Sequence, residues 1–140
     1  MTYLEALYGS QYDEIKRNGK DGNKGRLNGN IFLTAFLLMS IITIILAVCY
    51  LVPQINHSLG RMLSNTFGNN GRFTGKLLAI VFGGIFYFII NKTIGTQDNF
   101  THYVDNFLAY PEDTRNKAGK MLLVPFFIVL ALMFLLAFLN

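Results

Sequence analysis

Hydrophobic and polar positions divide this chain into three long apolar runs separated by polar segments. The runs cover residues 31–52, 77–90 and 121–139, and none of them contains Asp, Glu, Lys, Arg or His. A helix rises 1.5 Å per residue and needs about 20 apolar residues to cross a hydrocarbon core of about 30 Å. The first run has 22 residues and the third has 19, so they predict membrane-spanning helices over 31–53 and 121–139.

The middle run is shorter, with 14 residues that reach only about 21 Å as a helix. Such a segment can also be re-entrant or buried inside other protein. Lys76 and Lys92 flank it, and their long side chains can extend the run by reaching towards the headgroups. We therefore expect a second span over 77–92.

The polar segments carry apolar residues as well, at the three- to four-residue spacing of a helix. We predict an amphipathic helix within 54–76 and another within 93–120. The stripe of the first comprises Ile55, Leu59, Met62, Leu63 and Phe67, and the stripe of the second comprises Phe100, Tyr103, Val104, Phe107 and Leu108.

The N-terminal segment, 1–30, has a less regular stripe. Gly9 and Ser10 interrupt it, so the sequence predicts a short helix capped by Ser10, with Asp13 at the third position, and ended by Asn18 and Gly19. The stripe comprises Tyr3, Leu4, Leu7, Tyr8, Tyr12 and Ile15. The expected fold class is an all-α integral membrane protein, with three transmembrane helices and interfacial amphipathic helices in one domain over 1–140.

Two linkers before the first two spans resemble each other. Segments 22–29 and 68–75 share five of eight positions at an offset of 46. A diverged internal duplication predicts this match, and so does chance in a chain rich in Gly and Asn.

Charge assigns the orientation of the spans. The chain has 12 Lys and Arg, 8 Asp and Glu and a net charge of +4. Three crossings with a cytoplasmic N-terminus place nine basic residues inside and three outside, whereas two crossings divide them seven to five. Three crossings are favoured, with 1–30 and 93–120 cytoplasmic and 54–76 and the C-terminus exterior. The basic residues flank spans, so no nucleic-acid partner is expected.

Composition bears on location and chemistry. The chain has no Trp, is rich in Asn, Ile and Phe, and begins without a recognisable targeting segment, which favours a bacterial inner (cytoplasmic) membrane. Cys49 is the only cysteine, so no intrachain disulfide can form.

Three titratable residues stand at helical spacing on one face of the second amphipathic segment. Asp98, His102 and Asp105 could hold a divalent metal or pass a proton. A solvated polar face of an interfacial helix explains the same pattern, and we favour it. We expect neither a metal nor a cofactor.

Small residues mark candidate helix contacts. Ala79 and Gly83, with Gly84 beside them, allow close approach of another helix, and Thr43 and Ala47 form a second such pair. The neighbour is either a helix of the same chain or another subunit. The aromatic face from Phe100 to Leu108 is a further predicted partner surface.

The absence of ionisable residues from the apolar runs argues against ion-coupled transporters, pumps and voltage sensors. His57 and His102 lie in loops predicted on opposite sides, so an enzyme is not expected.

Three hypotheses remain. The first is a non-catalytic subunit or assembly factor that binds other integral membrane proteins and lipid. The second is a self-associating, holin-like pore, which the uncharged C-terminus disfavours. The third is a protein that remodels the lipid surface.

Overall fold

The computed structural model describes residues 1–68 and 71–139, apart from the Arg72 side chain, and it is 89% helix with no strand in those residues. The all-α prediction is confirmed. The helices are α1 (Tyr3–Arg17), α2 (Gly25–Leu51), α3 (Pro53–Phe67), α4 (Gly71–Thr93), α5 (Gln97–Ala109), α6 (Glu112–Arg115) and α7 (Ala118–Leu139), with a 3-10 turn at Gly22–Lys24.

Three helical segments are long and apolar enough to cross a membrane. They are Gly22–Leu51, Phe73–Thr93 and Glu112–Leu139, of 30, 21 and 28 residues. The middle segment is about 32 Å long, which is longer than the ~21 Å predicted from its apolar run. Each helix continues past its apolar run. The run marks only the residues that favour contact with lipid, whereas the helical backbone hydrogen bonds extend into the polar residues on either side.

The N-terminal segment forms one continuous helix, so the predicted interruption and the Ser10 cap are wrong. Thr2 caps α1 instead: Thr2 Oγ1 accepts from Glu5 N at 3.3 Å, and Glu5 Oε2 accepts from Thr2 N at 2.6 Å. Ser10 lies inside the helix and donates to Leu7 O. The predicted end is confirmed, with Asn18 as the C-cap and Gly19 at φ +70°.

Helix α2 packs against both α4 and α7. Asn30, near the start of α2, bonds to Asn91, near the end of α4, so these helices are antiparallel. Phe32 and Phe36 stack on Phe126, near the start of α7, at 5.2 and 6.5 Å between ring centroids, so α2 and α7 are parallel. This alternation is the order expected of three successive crossings. We call the two ends of the bundle the α1 end and the α3 end.

The buried core lies at the α1 end. There α1 and α5 pack together over the starts of α2 and α7 and the end of α4, an arrangement we call the α1–α5 layer. By contrast, only 11%, 11% and 6% of the most apolar stretches of the three long helices are buried. The core comprises Ala6, Leu7, Tyr8, Leu33, Ile90, Phe100, Val104, Phe107, Ala118 and Leu122.

The two similar linkers have different surroundings. Segment 22–29 forms the 3-10 turn and the first residues of α2. In segment 68–75, Asn69 and Asn70 lie outside the described residues. The corresponding residues Gly25 and Gly71 each begin a helix, but Gly25 is buried whereas Gly71 is exposed. Duplication and chance both stay as hypotheses.

Candidate functional site

The apolar faces of α1 and α5 cover each other. The Tyr8 ring stacks on Tyr103 at 5.4 Å and meets the edge of Phe100 at 5.9 Å. The Phe107 ring lies directly against Gly9, where a Cβ atom would overlap it. Glycine at this position is therefore a packing requirement and not a break in the helix.

This packing corrects the prediction that the aromatic face of α5 contacts partners. Phe100, Val104 and Phe107 are all buried against the same chain and are unavailable to another protein. Tyr103 is partly buried, and Leu108, at the edge of the layer, remains 40% exposed. The sequence identified the face correctly, but only the tertiary structure identifies α1 as the element that covers it.

Two glycines at the start of α2 let α1 approach closely. A Cβ atom on Gly25 would lie 2.9 Å from the backbone nitrogen of Tyr12, and one on Gly29 would lie 2.5 Å from the Tyr8 ring. Both contacts are shorter than carbon atoms tolerate, so larger residues would separate α1 from α2.

Beneath the α1–α5 layer lies a buried polar cluster that we call the Asn30 network. Its centre is Asn30, which is only 1% exposed. Asn30 Oδ1 accepts from the Tyr8 hydroxyl at 2.7 Å, and Asn30 Nδ2 donates to Asn91 Oδ1 at 3.1 Å and to Gly95 O at 3.3 Å. Arg26 Nη1 donates to the same two acceptors, each at 3.2 Å. The network therefore joins α1, the start of α2 and the end of α4.

The chemistry of the Asn30 network is structural. Burial raises the pKa of the Tyr8 phenol, and nearby Tyr103 raises it further while Arg26 opposes the rise. Tyr8 thus stays protonated and donates. Amides, a neutral phenol and a guanidinium bonded to carbonyl oxygens provide no activated nucleophile or proton acceptor. These groups satisfy each other's hydrogen bonds in the protein interior, and this fixes how the three helices pack together.

A second polar contact holds α1 to α5. The Glu5 carboxylate accepts from the Thr2 backbone and, through Oε1, from Asn106 Nδ2 at 3.1 Å. The Thr2 backbone bond is the main cause of a lowered Glu5 pKa, opposed by desolvation and assisted by Asn106. The carboxylate is therefore held in its charged form between the two helices.

The predicted metal candidates lie on the exposed side of α5. Asp98, His102 and Asp105 are all exposed, and His102 Nε2 lies 3.3 Å from Asn106 Nδ2. Within residues 1–68 and 71–139, no three His, Cys, Asp or Glu residues are grouped so that they could hold a metal ion.

Of the small residues predicted to make helix contacts, some face another helix of the same chain and others are exposed. Gly83 faces α2, since a Cβ atom there would lie 3.7 Å from Leu38. Ala79 and Gly84 are exposed, and a Cβ atom on Gly84 would meet nothing within 4 Å. On α2, the Thr43 hydroxyl donates to its own helix at Met39 O, and Ala47 is partly buried.

Sequence reasoning missed the Asn30 network. Its members are far apart along the chain, and Asn30 is distinguished only as the polar residue directly before the first apolar run. The chain has no significant match among family models, curated proteins or solved structures. Its function is therefore inferred from its own geometry.

Proposed function

We propose that this protein is a non-catalytic subunit or assembly factor of a larger membrane protein complex. One contrast supports the proposal. The α1–α5 layer is tightly packed and hydrogen-bonded, whereas few residues in the most apolar stretches of the three long helices are fully buried. The chain fixes its helices at the α1 end and leaves much of their sides available for lipid and for helices of other integral membrane proteins.

The exposed face of α4 is the proposed protein contact. Gly84 is exposed on this face, whereas Gly83 lies against Leu38 of α2. Ala79 is exposed too, but it lies about 140° around α4 from Gly84 and is nearer to the side that faces α2. In a bilayer, small residues favour helix association because backbones can approach closely and gain van der Waals contact. Ile80 lies one turn before Gly84 and is 72% exposed, which adds apolar surface to the same face.

A non-catalytic role fits the separation of the two histidines. His57 lies on α3 and His102 lies on α5, at opposite ends of the 27-residue helix α2. That helix is about 40 Å long, so the two imidazoles do not share a site.

We further propose a bacterial inner membrane, with the α1 end cytoplasmic and the C-terminus exterior. The α1 end carries nine of the twelve basic residues and the α3 end carries three. Cytoplasmic loops are enriched in Lys and Arg, which supports this orientation.

Extraction in mild detergent followed by native mass spectrometry tests the role. We expect the protein to co-purify with unlike integral membrane subunits, and Gly84→Leu to lower their recovery by on the order of tenfold by blocking close helix approach. Phe82→Leu is the matched control, since it changes side-chain size on the other side of α4 and should leave recovery unchanged.

Other outcomes would contradict the proposal. A complex of identical subunits that gives reproducible conductance in planar bilayers would identify a pore instead. Protein that stays alone in detergents known to preserve membrane complexes would refute the subunit role. Equal loss of partners in both variants would refute the assignment of the α4 face.

A further inference from the structure

Helix α3 differs from the other amphipathic helices because its apolar face is only partly covered by protein. None of its residues is buried. Met62 is 65% exposed, and Ile55 and Leu63 are 38% and 37% exposed. The apolar faces of α1 and α5 bury each other, but no described helix plays that part for α3.

The chain holds α3 at one level of the bundle. Only Val52 separates α2 from α3, and only residues 68–70 separate α3 from α4. Asn91 lies beside Asn30 and Gly83 beside Leu38, so equal steps along α4 and α2 correspond. Continuing this register places Gly71 level with Tyr50. Both ends of α3 are therefore tethered where the apolar surfaces of α2 and α4 end.

A largely apolar groove of about 310 Å³ opens between α3 and α4. Its lining comprises four glycines, two leucines and two hydroxyl residues: Gly60, Gly68, Gly71, Gly75, Leu63, Leu78, Ser64 and Thr74. It adjoins the exposed apolar side of α4, so it can receive the upper part of an acyl chain whose remainder follows α4.

The charge at this end has one sign. No Asp or Glu occurs between Asp21 and Asp98, whereas Arg61, Arg72 and Lys76 all lie at the α3 end. The Arg61 and Lys76 side chains are exposed. Basic residues close to an anionic membrane surface are attracted to it. The occupant that fits an apolar face, an apolar groove and uncompensated cations is an anionic phospholipid.

We propose that α3 lies in the headgroup layer of the bilayer and binds anionic phospholipid, with its apolar face among the acyl chains and with Arg61 and Lys76 on the lipid phosphate. This property goes beyond the proposed complex and does not depend on it. A helix with one apolar and one basic face, attached to two spans, is stabilised in this layer by both contacts.

The absence of Trp from the chain allows a direct test, because one introduced Trp is a unique fluorescent probe. Met62→Trp places the probe on the apolar face, and His57→Trp is the matched control, since His57 is exposed and lies about 140° around α3 from Met62. The full chain is reconstituted in vesicles that mix phosphatidylcholine with phosphatidylglycerol, one lipid carrying brominated acyl chains. We expect strong quenching of the Trp at 62 and weak quenching of the Trp at 57.

Selectivity is measured by exchanging which lipid is brominated. We expect brominated phosphatidylglycerol to quench the Trp at 62 more than brominated phosphatidylcholine at equal content, by a factor on the order of five. Arg61→Gln with Lys76→Gln should remove this preference while quenching by total brominated lipid persists.

Three results would overturn the proposal. Equal quenching of both probes would show that α3 does not lie with its apolar face in the bilayer. Equal quenching by both lipids in the unsubstituted background would show no anionic selectivity. Quenching of the Trp at 62 that disappears as protein density rises would show that a second copy of the chain, and not lipid, covers this face.

Discussion

At the scale of single residues, the Asn30 network shows how polar side chains select one packing of apolar helices. Asn30 makes three hydrogen bonds from a position that is 1% exposed. An unsatisfied buried polar group costs about 1–3 kcal/mol, so an arrangement that separates these partners is disfavoured. Apolar surface alone selects less strongly among packing arrangements, because an apolar helix buries a similar area when it is rotated slightly about its axis.

The Asn30 network leaves no room for a side chain at Gly95. A Cβ atom there would overlap Asn30 Oδ1, so we expect Gly95→Ala to lower the free energy of unfolding by about 1–3 kcal/mol. Gly60→Ala is the matched control, since nothing lies within 4 Å of its Cβ position and alanine favours a helix by up to about 1 kcal/mol. Denaturant unfolding in detergent measures both. Equal stability of the two variants would contradict the assignment.

Glu5 gives the α1–α5 contact a pH dependence of definite sign. Its pKa is lowered below its ordinary value of 4.5, chiefly by the Thr2 backbone bond. A lowered pKa contributes stability that is present above 4.5 and is lost as the pH falls through the folded-state value. We expect Glu5→Gln to destabilise the protein at neutral pH, and the difference from the unsubstituted protein to shrink towards acid. Thermal unfolding across that range measures it, and a difference independent of pH would refute this role.

At the scale of helices, amphipathic segments of similar appearance have different partners. The stripes of α1 and α5 combine into one buried layer, whereas no residue in the stripe of α3 is fully buried. The difference follows from connectivity. Helices α1 and α5 both lie at the end where α2 begins and α4 ends, and α3 is alone at the other end.

Phe107 tests the α1–α5 layer as a unit. Its ring is 1% exposed and lies against Gly9, so Phe107→Ala leaves a cavity that α1 cannot fill without bending. We expect a loss of about 3–5 kcal/mol in the free energy of unfolding and faster amide hydrogen exchange throughout α1.

Leu108 provides the control for this prediction. It is the next residue on α5 but is 40% exposed, so Leu108→Ala should cost less than about 1 kcal/mol. If both variants lost the same stability, or if exchange in α1 stayed slow in Phe107→Ala, the layer would not be held by this contact.

At the scale of the whole molecule, the long helices form an open arrangement in which α4 and α7 both pack on α2. Their alternating directions place α6 at the α1 end and the start of α4 at the α3 end. In the proposed orientation, α6 therefore faces the cytoplasm and the start of α4 faces the exterior.

Cysteine labelling tests that orientation. With the native Cys49 replaced by Ala, Gly71→Cys should react with a membrane-impermeant maleimide in intact cells. Glu112→Cys should react only after the membrane is opened, since the exposed residue Glu112 lies at the α1 end. The reverse pattern would invert the orientation, and reaction of both sites in intact cells would contradict three crossings.

The sequence by itself determined what depends on local pattern. Charge-free runs, helical spacing and the Asn18–Gly19 stop specify six of the seven helices, including the three candidate spans, because hydrophobicity and backbone preference act over one or two turns. It determined less at boundaries and caps, where Thr2 and not Ser10 begins α1 and where α4 exceeds its apolar run.

Only the tertiary structure decided which surfaces meet. That α1 covers Phe107, that Gly9, Gly25 and Gly29 are required by close contact, and that Asn30 joins three helices all depend on residues distant in sequence. An amphipathic stripe specifies that a face will be covered but not by what, because lipid, another helix and another protein all satisfy the same apolar surface. Shape and hydrogen-bond geometry choose among them, and those exist only once the chain has folded.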